Sequence, residues 1–305
     1  MPNSTLRGRF VWHELMTSDP KSAGAFYSKA IGWKTEKWPQ QQSYTLFKSG
    51  KRMMAGLMVL PDDAKAMGTP PNWLTYIGTE NVDETLREAV ALGGKVLRQP
   101  SDIPTVGRFA VLQDPQGAVF AAFTPAPSSQ AASDTAGIGD FSWHELATTD
   151  WRAALSFYQR LFGWEETDSM PMGDSKYQMY GWNKQSRGGV YNKPKEMPAP
   201  AWLPYIRVPD SKKVAAAIPK LGGKVANGPM EVPGGDWIAQ GIDPQGAFFA
   251  VHSVKPAVAA KTKPAAKKKA APRRAAAKPR RAAKRAVRAK SKSRGRVRRA
   301  GRKKR

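Results

Sequence analysis

Two short strings carry the side chains best suited to chemistry. Trp12-His13-Glu14-Leu15 and Trp143-His144-Glu145-Leu146 are the same tetrapeptide, 131 residues apart, and each sets an imidazole beside a carboxylate. Proton transfer is the chemistry such neighbours suggest. On a strand, however, successive side chains face opposite sides, so neither His–Glu pair can act as a unit. An inward Glu14 or Glu145 must meet a ligand or be paired, because an isolated buried carboxylate is too costly. His13 and His144 then point the other way and read as hydrogen-bonded residues beneath a helix. With His252 they are the three histidines of the chain, and there is no cysteine. Disulfides, thiolate metal sites and a cysteine nucleophile are therefore excluded, and no Ser-His-Asp set stands in for them.

The strings belong to a longer duplication. Phe10–Trp33 (FVWHELMTSDPKSAGAFYSKAIGW) matches Phe141–Trp164 (FSWHELATTDWRAALSFYQRLFGW) without a gap. Further on, NWLTYI at Asn72 matches AWLPYI at Ala201, LGGKV at Leu92 recurs at Leu221, and DPQGAVFA at Asp114 matches DPQGAFFA at Asp243, all at an offset of 129. Within each copy the pattern is strand, helix, then three strands, twice. Phe10–Thr17 alternates as a strand. Asp19 can cap a helix with Pro20 at its first position, Ala23, Phe26, Tyr27 and Ala30 mark one helical face, and Gly32 stops it. Strands are expected at Tyr44–Lys48, Arg52–Val59 and Trp73–Gly78. A helix follows over about Val82–Leu92, then strands near Lys95–Arg98, Arg108–Gln113 and Ala118–Phe123, the last two joined by the Asp114-Pro115-Gln116-Gly117 turn.

This order, with its D…FY…GW and LGG…DPxG landmarks, resembles the vicinal oxygen chelate superfamily of glyoxalase I, extradiol dioxygenases and bleomycin-resistance proteins. The resemblance implies an α+β fold: two tandem modules, each of two paired βαβββ units around a cavity, with the helices outside. The first module is expected over residues 8–125, a linker over 126–138, the second module over 139–254 and a disordered basic tail over 255–305. Metal-dependent members hold one ligand on the first and one on the last strand of each unit, usually His, Glu or Gln. By the resemblance those positions fall on Trp12, Leu74 and Ala121 in the first copy, with Met53–Leu57 supplying nothing, and on Trp143, Leu203 and Ala250 in the second. Glu145 and His252 remain as donors, too few for an open divalent site. The expectation is that no metal and no other cofactor is bound, which removes the usual route to glyoxalase or dioxygenase chemistry.

In this register Trp12, Glu14, Met16 and Tyr76 line the first cavity, and Trp143, Glu145 and Tyr205 the second. Aromatic walls around one or two polar groups suit a small organic ligand, and they equally suit a sheet core. Trp33 and Trp164 read as packing residues. Leu60–Pro71 and Tyr191–Ala201 read as loops over the mouths. Met54, Met58, Met67, Met170, Met172, Met179 and Met197 would supply an adaptable apolar rim. Three readings stay open: a small-molecule-binding glyoxalase-like protein, a lyase or oxidoreductase of the same superfamily, and a non-enzymatic interaction protein whose cavities are closed.

The net charge of +26 belongs to the last stretch of the chain. Residues 255–305 hold 24 Lys and Arg and no Asp or Glu, leaving 26 basic against 24 acidic residues in the preceding 254. With Ala and Pro as the other main components and no aromatic residue, this segment is expected to stay disordered. In composition it resembles the tails of linker histones. Its basic clusters, Lys267, Lys268, Lys269, Arg273, Arg274, Arg280, Arg281, Lys284, Arg285, Arg298, Arg299, Arg302, Lys303, Lys304 and Arg305, are expected to contact phosphates of DNA or RNA without sequence preference. Apolar anchors for a membrane surface are missing from it. Met1–Arg9 lacks the apolar stretch of a secretory signal, so a cytoplasmic, nucleoid-associated location is expected.

Overall fold

Each copy of the duplication builds one eight-stranded sheet in a computed structural model that describes residues 6–127 and 135–255. In the first module β1 (Phe10–Thr17) is followed by α1 (Pro20–Ala30), β2 (Lys34–Trp38), β3 (Gln41–Ser49) and β4 (Arg52–Val59). After a short helix α2 (Asp62–Ala66) come β5 (Asn72–Gly78), α3 (Val82–Ala91), β6 (Lys95–Ile103), β7 (Gly107–Gln113) and β8 (Val119–Pro125). The strands lie side by side as β2-β3-β4-β1-β5-β8-β7-β6, so the two βαβββ units meet where β1 pairs antiparallel with β5. The second module repeats the order with β9 (Phe141–Thr148), α4 (Trp151–Phe162), β10 (Glu165–Met172), β11 (Ser175–Trp182) and β12 (Gln185–Asn192). Its second unit has β13 (Ala201–Arg207), α5 (Ser211–Ala217), β14 (Lys224–Glu231), β15 (Trp237–Ile242) and β16 (Phe248–Ser253). These are two tandem modules of one fold.

The local signals account for most of this. Asp19 accepts hydrogen bonds from the Lys21 and Ser22 amides, and Asp150 does the same for Arg152 and Ala153, so both first helices start on a capped turn. Two features were not expected. β2 was not read because its five residues are nearly all exposed and show no alternation. A turn of helix, α2, occupies part of the segment expected as loop. In the second module Pro219 ends α5 and leaves a 3-10 turn at Pro219–Leu221.

The modules pack through the helix-bearing faces of their sheets, and one compact unit includes both. One core joins Phe26, Tyr27, Trp33 and Phe47 of the first module to Ile206, Ile218, Phe249 and Val251 of the second. The reciprocal core joins Phe157, Tyr158, Phe162 and Trp164 to Ile77, Leu112 and Phe120. Polar relays cross at the same places. Trp73 Nε1 donates to the Tyr27 hydroxyl at 3.0 Å, which donates to Asp243 at 3.2 Å; Trp202, Tyr158 and Asp114 repeat this at 3.2 and 3.0 Å. The same Asp114 Oδ1 holds the DPQG turn by accepting from the Gln116, Gly117 and Ala118 amides. Met54 joins the first core and is not a rim residue. Among the described residues no helix is long and apolar enough to cross a membrane. The basic clusters expected to contact phosphates lie outside the described residues, as does part of the 126–138 linker.

Candidate functional site: a buried carboxyl on each helix-free face

β1 and β9 place the repeated tetrapeptide across the thickness of each sheet. Trp12 lies opposite Tyr76 and Glu14 opposite Leu74 on β5, with Gly56 of β4 on the other side of Glu14. The Glu14 carboxylate accepts from the Tyr44 hydroxyl at 2.7 Å and from the Tyr76 hydroxyl at 3.2 Å. Trp12 Nε1 donates to the Tyr44 oxygen at 3.1 Å, which gives a chain from indole to phenol to carboxylate. Module two rebuilds it. Trp143 Nε1 donates to Tyr177 at 2.8 Å, and Tyr177 and Tyr205 donate to Glu145 at 3.1 and 3.2 Å. Tyr191 adds a further hydrogen bond there. The Gln240 amide binds the Tyr205 oxygen at 2.7 Å and reaches Glu145 Oε1 at 3.5 Å.

Glycine makes the relay possible. A Cβ on Gly56 would fall onto the Tyr44 hydroxyl, and one on Gly189 would fall onto the Tyr177 ring. β4 and β12 therefore carry no side chain where the phenol must cross the sheet to reach the carboxylate.

Glu14 and Glu145 keep 8% exposure each, while Trp12, Met16 and Trp143 are half-buried and Tyr76 and Tyr205 are buried. Desolvation raises both carboxyls above their ordinary range, against the pull of the tyrosine hydroxyls and, at Glu14, of Arg98. Glu145 is pushed up to about 6. Around Glu14 the face is apolar, with Leu74, Tyr76, Phe109 and Ala121 in one cluster and Trp12, Met16 and Val111 against it. Two shallow surface hollows, one at Gly24, Thr35 and Leu57 and one at Trp151, Lys176 and Asn192, lie on the helix side and include none of these residues.

The histidines sit on the opposite face of the same strands. His13 and His144 meet between the modules, Nε2 to Nε2 at 2.7 Å, with His13 stacked on Phe141 and His144 on Phe10. One ring must donate and the other accept, so the acceptor is neutral, and two neutral rings here must be different tautomers. Burial lowers both, His144 to about 3, and the His144 ring further disfavours charge on His13. They lie between helix-bearing faces, but their partner is each other rather than a helix.

Sequence order alone suggested no Ser-His-Asp set, and here the fold corrects that reading. His252 Nδ1 lies 2.9 Å from Ser142 Oγ and its Nε2 lies 2.9 Å from Asp236, whose other oxygen accepts from the Lys255 amide. The three come from β9, β16 and the β14–β15 connection, far apart in the chain. Asp236 also holds Lys255, so the set ties down the end of the second module. His252 is consequently engaged away from Glu145.

A divalent ion does not fit either carboxyl site. Glu14 is surrounded by Trp, Tyr, Leu and Ala, Glu145 has only the Gln240 amide besides such residues, and among the described residues no group of three or more His, Cys, Asp or Glu could hold a metal.

Residues 12–123 match the family described as a glyoxalase-like domain. Both modules have this fold. Several solved structures share it: a Mn(II)-bound glyoxalase from Novosphingobium aromaticivorans at TM-score 0.57 and 16% identity, covering 82% of each chain. A 2,2',3-trihydroxybiphenyl 1,2-dioxygenase from Sphingomonas wittichii superposes at TM-score 0.59 and 10% identity, covering 81% of this chain and 90% of that one. At these identities the likeness concerns the fold alone. Among curated relatives, CFP32 of Mycobacterium tuberculosis, named as a candidate glyoxylase, is 40% identical over 122 residues. The match takes in 39% of this chain and 45% of CFP32, under half of that relative. DauV of Streptomyces sp. strain C5, named an anthracycline biosynthesis protein, is 27% identical over 272 residues, 83% of this chain and 96% of its own.

Proposed function

We propose that the helix-free face of each module binds a small organic ligand with a flat apolar body, seated on Trp12 or Trp143 and fixed by the carboxyl of Glu14 or Glu145, without a catalytic metal. The observation that carries this reading is the indole–phenol–carboxyl relay, built twice at a site where packing alone would favour an apolar residue. Holding Glu145 at about 6 instead of 4.5 costs about 2 kcal/mol of differential stability. Polar groups converging on an aromatic wall are the usual composition of a ligand site. The biosynthetic role named for DauV and the glyoxylase name of CFP32 are compatible with a small-molecule ligand. The tail holds the chain on DNA or RNA through phosphates, in a cytoplasmic, nucleoid-associated location.

The test uses 2-naphthol, a neutral flat probe with one hydroxyl. Titrated into the full chain, it should shift the indole N–H resonances of Trp12 or Trp143, assigned with the Trp12→Phe and Trp143→Phe variants. Whichever indole responds, Glu14→Gln for Trp12 or Glu145→Gln for Trp143 should weaken the response. Silence of both indoles at millimolar probe would contradict ligand binding and favour the interaction-protein reading. A second reading has one specific observation behind it. A carboxyl near 6 can both give and take a proton at neutral pH, so Glu145 could serve as the acid–base group of an enzyme.

A further inference from the structure

The two faces share their relay but not what surrounds it. Strand register sets the modules residue against residue, because Glu14 pairs with Leu74 as Glu145 pairs with Leu203. Three further positions then correspond. On the second strand from the edge, Val111 of β7 faces Arg98 of β6, and in module two Gln240 of β15 faces Asn227 of β14. Next to the first strand, Met58 pairs with Met16, and Tyr191 pairs with Ala147.

From module one to module two these positions exchange a cation and two apolar side chains for neutral polar ones. Module one has a cation with apolar neighbours: the Arg98 guanidinium lies 5.0 Å over the Phe109 ring, close enough to the Glu14 carboxyl to act on its charge. Module two has no cation at these positions. In their place are an amide in Gln240, a phenol in Tyr191 and an amide in Asn227, with Gln240 already tied to Tyr205. A guanidinium held over an aromatic ring keeps its N–H edges free to meet a carboxylate in a bidentate fork. Neutral amides and phenols instead pair with hydroxyls and carbonyls of an uncharged molecule.

We infer that the two sites are not equivalent: module one takes a flat apolar ligand bearing a carboxylate, held by Arg98, and module two takes an uncharged flat ligand bearing hydroxyl or carbonyl groups, held by Gln240 and Tyr191. This deepens the ligand-binding reading above and rests on it. A single chain of this kind holds two different small molecules, and the duplication has supplied a second specificity rather than a second copy of the first.

The probes are 2-naphthoate and 2-naphthol, which share a ring system and differ in charge. Each is titrated into the full chain while the Trp12 and Trp143 indole N–H signals are followed separately. Naphthoate should move Trp12 and naphthol should move Trp143. Arg98→Ala, at an exposed position, should weaken naphthoate by roughly tenfold or more and leave naphthol unchanged. Asn227→Arg should let naphthoate reach Trp143. If both probes move both indoles equally, or if Arg98→Ala leaves naphthoate affinity intact, the division between the modules is wrong while ligand binding stands. If neither probe moves either indole, the ligand-binding reading falls and this inference with it.

Discussion

Glu14 and Glu145 are held by phenols that cross a gap left by a glycine, and this arrangement can be tested one atom at a time. Tyr177→Phe removes a donor to Glu145, so its carboxyl should titrate higher than about 6, by roughly one unit, in carboxyl-carbon NMR. A carboxyl that does not move would mean Tyr177 is not bonded to it in solution. Gly189→Ala should expel the phenol and destabilise the protein by about 1–3 kcal/mol in urea unfolding. The alternating register of the repeated tetrapeptide made Trp12, Glu14 and their counterparts visible as residues of one face. Tyr44, Tyr177 and Gln240 escaped because they lie where the copies diverge or on strands read only for their boundaries, and Tyr191 because it reads as the start of a loop although it lies within β12. Gly56 and Gly189, each inside a strand, were the available signal. His252 with Ser142 and Asp236 could not have been found by spacing, since three separate elements bring them together.

At the scale of elements, β1 and β9 each carry a carboxyl outward and an imidazole inward, and the two groups pull stability in opposite directions with pH. His144 is lowered from 6.5 to about 3, so the unfolded chain takes its proton first. The stability it contributes is present above about 6.5 and is lost as pH falls toward 3, amounting to about 2 kcal/mol at pH 5. Glu145 is raised, so its contribution is present below 4.5 and is lost as pH rises through about 6. The His13→Gln/His144→Gln protein keeps only the second trend. From pH 7 to pH 5 the denaturant midpoint should therefore fall for the natural chain relative to this variant. Parallel midpoints would show that the imidazoles are not buried as a neutral pair. The capped helices and the β-strands flanking them were readable from Asp19, Pro20, Asp150 and alternation, while the exposed β2 was not. That the helices of one module would cover the sheet of the other was also out of reach, because a helical face does not name its partner.

Across the whole molecule, the modules are neutral partners in a fused pair and the tail carries the charge. Deleting residues 255–305 should abolish DNA binding and leave the modules folded. With the full chain, log K should fall against log salt with a slope of about −0.9 for each phosphate engaged. A slope near one or two, or binding by the truncated chain, would place the contact on the modules. The central claim, that both helix-free faces hold organic ligands and not metal, is tested most directly by native mass spectrometry of the full chain purified without added ligand, combined with elemental analysis. The expected result is one or two bound organic masses per chain, lost in Glu14→Gln/Glu145→Gln, with no stoichiometric divalent metal. One tightly held zinc, manganese, nickel or iron ion per module would contradict it.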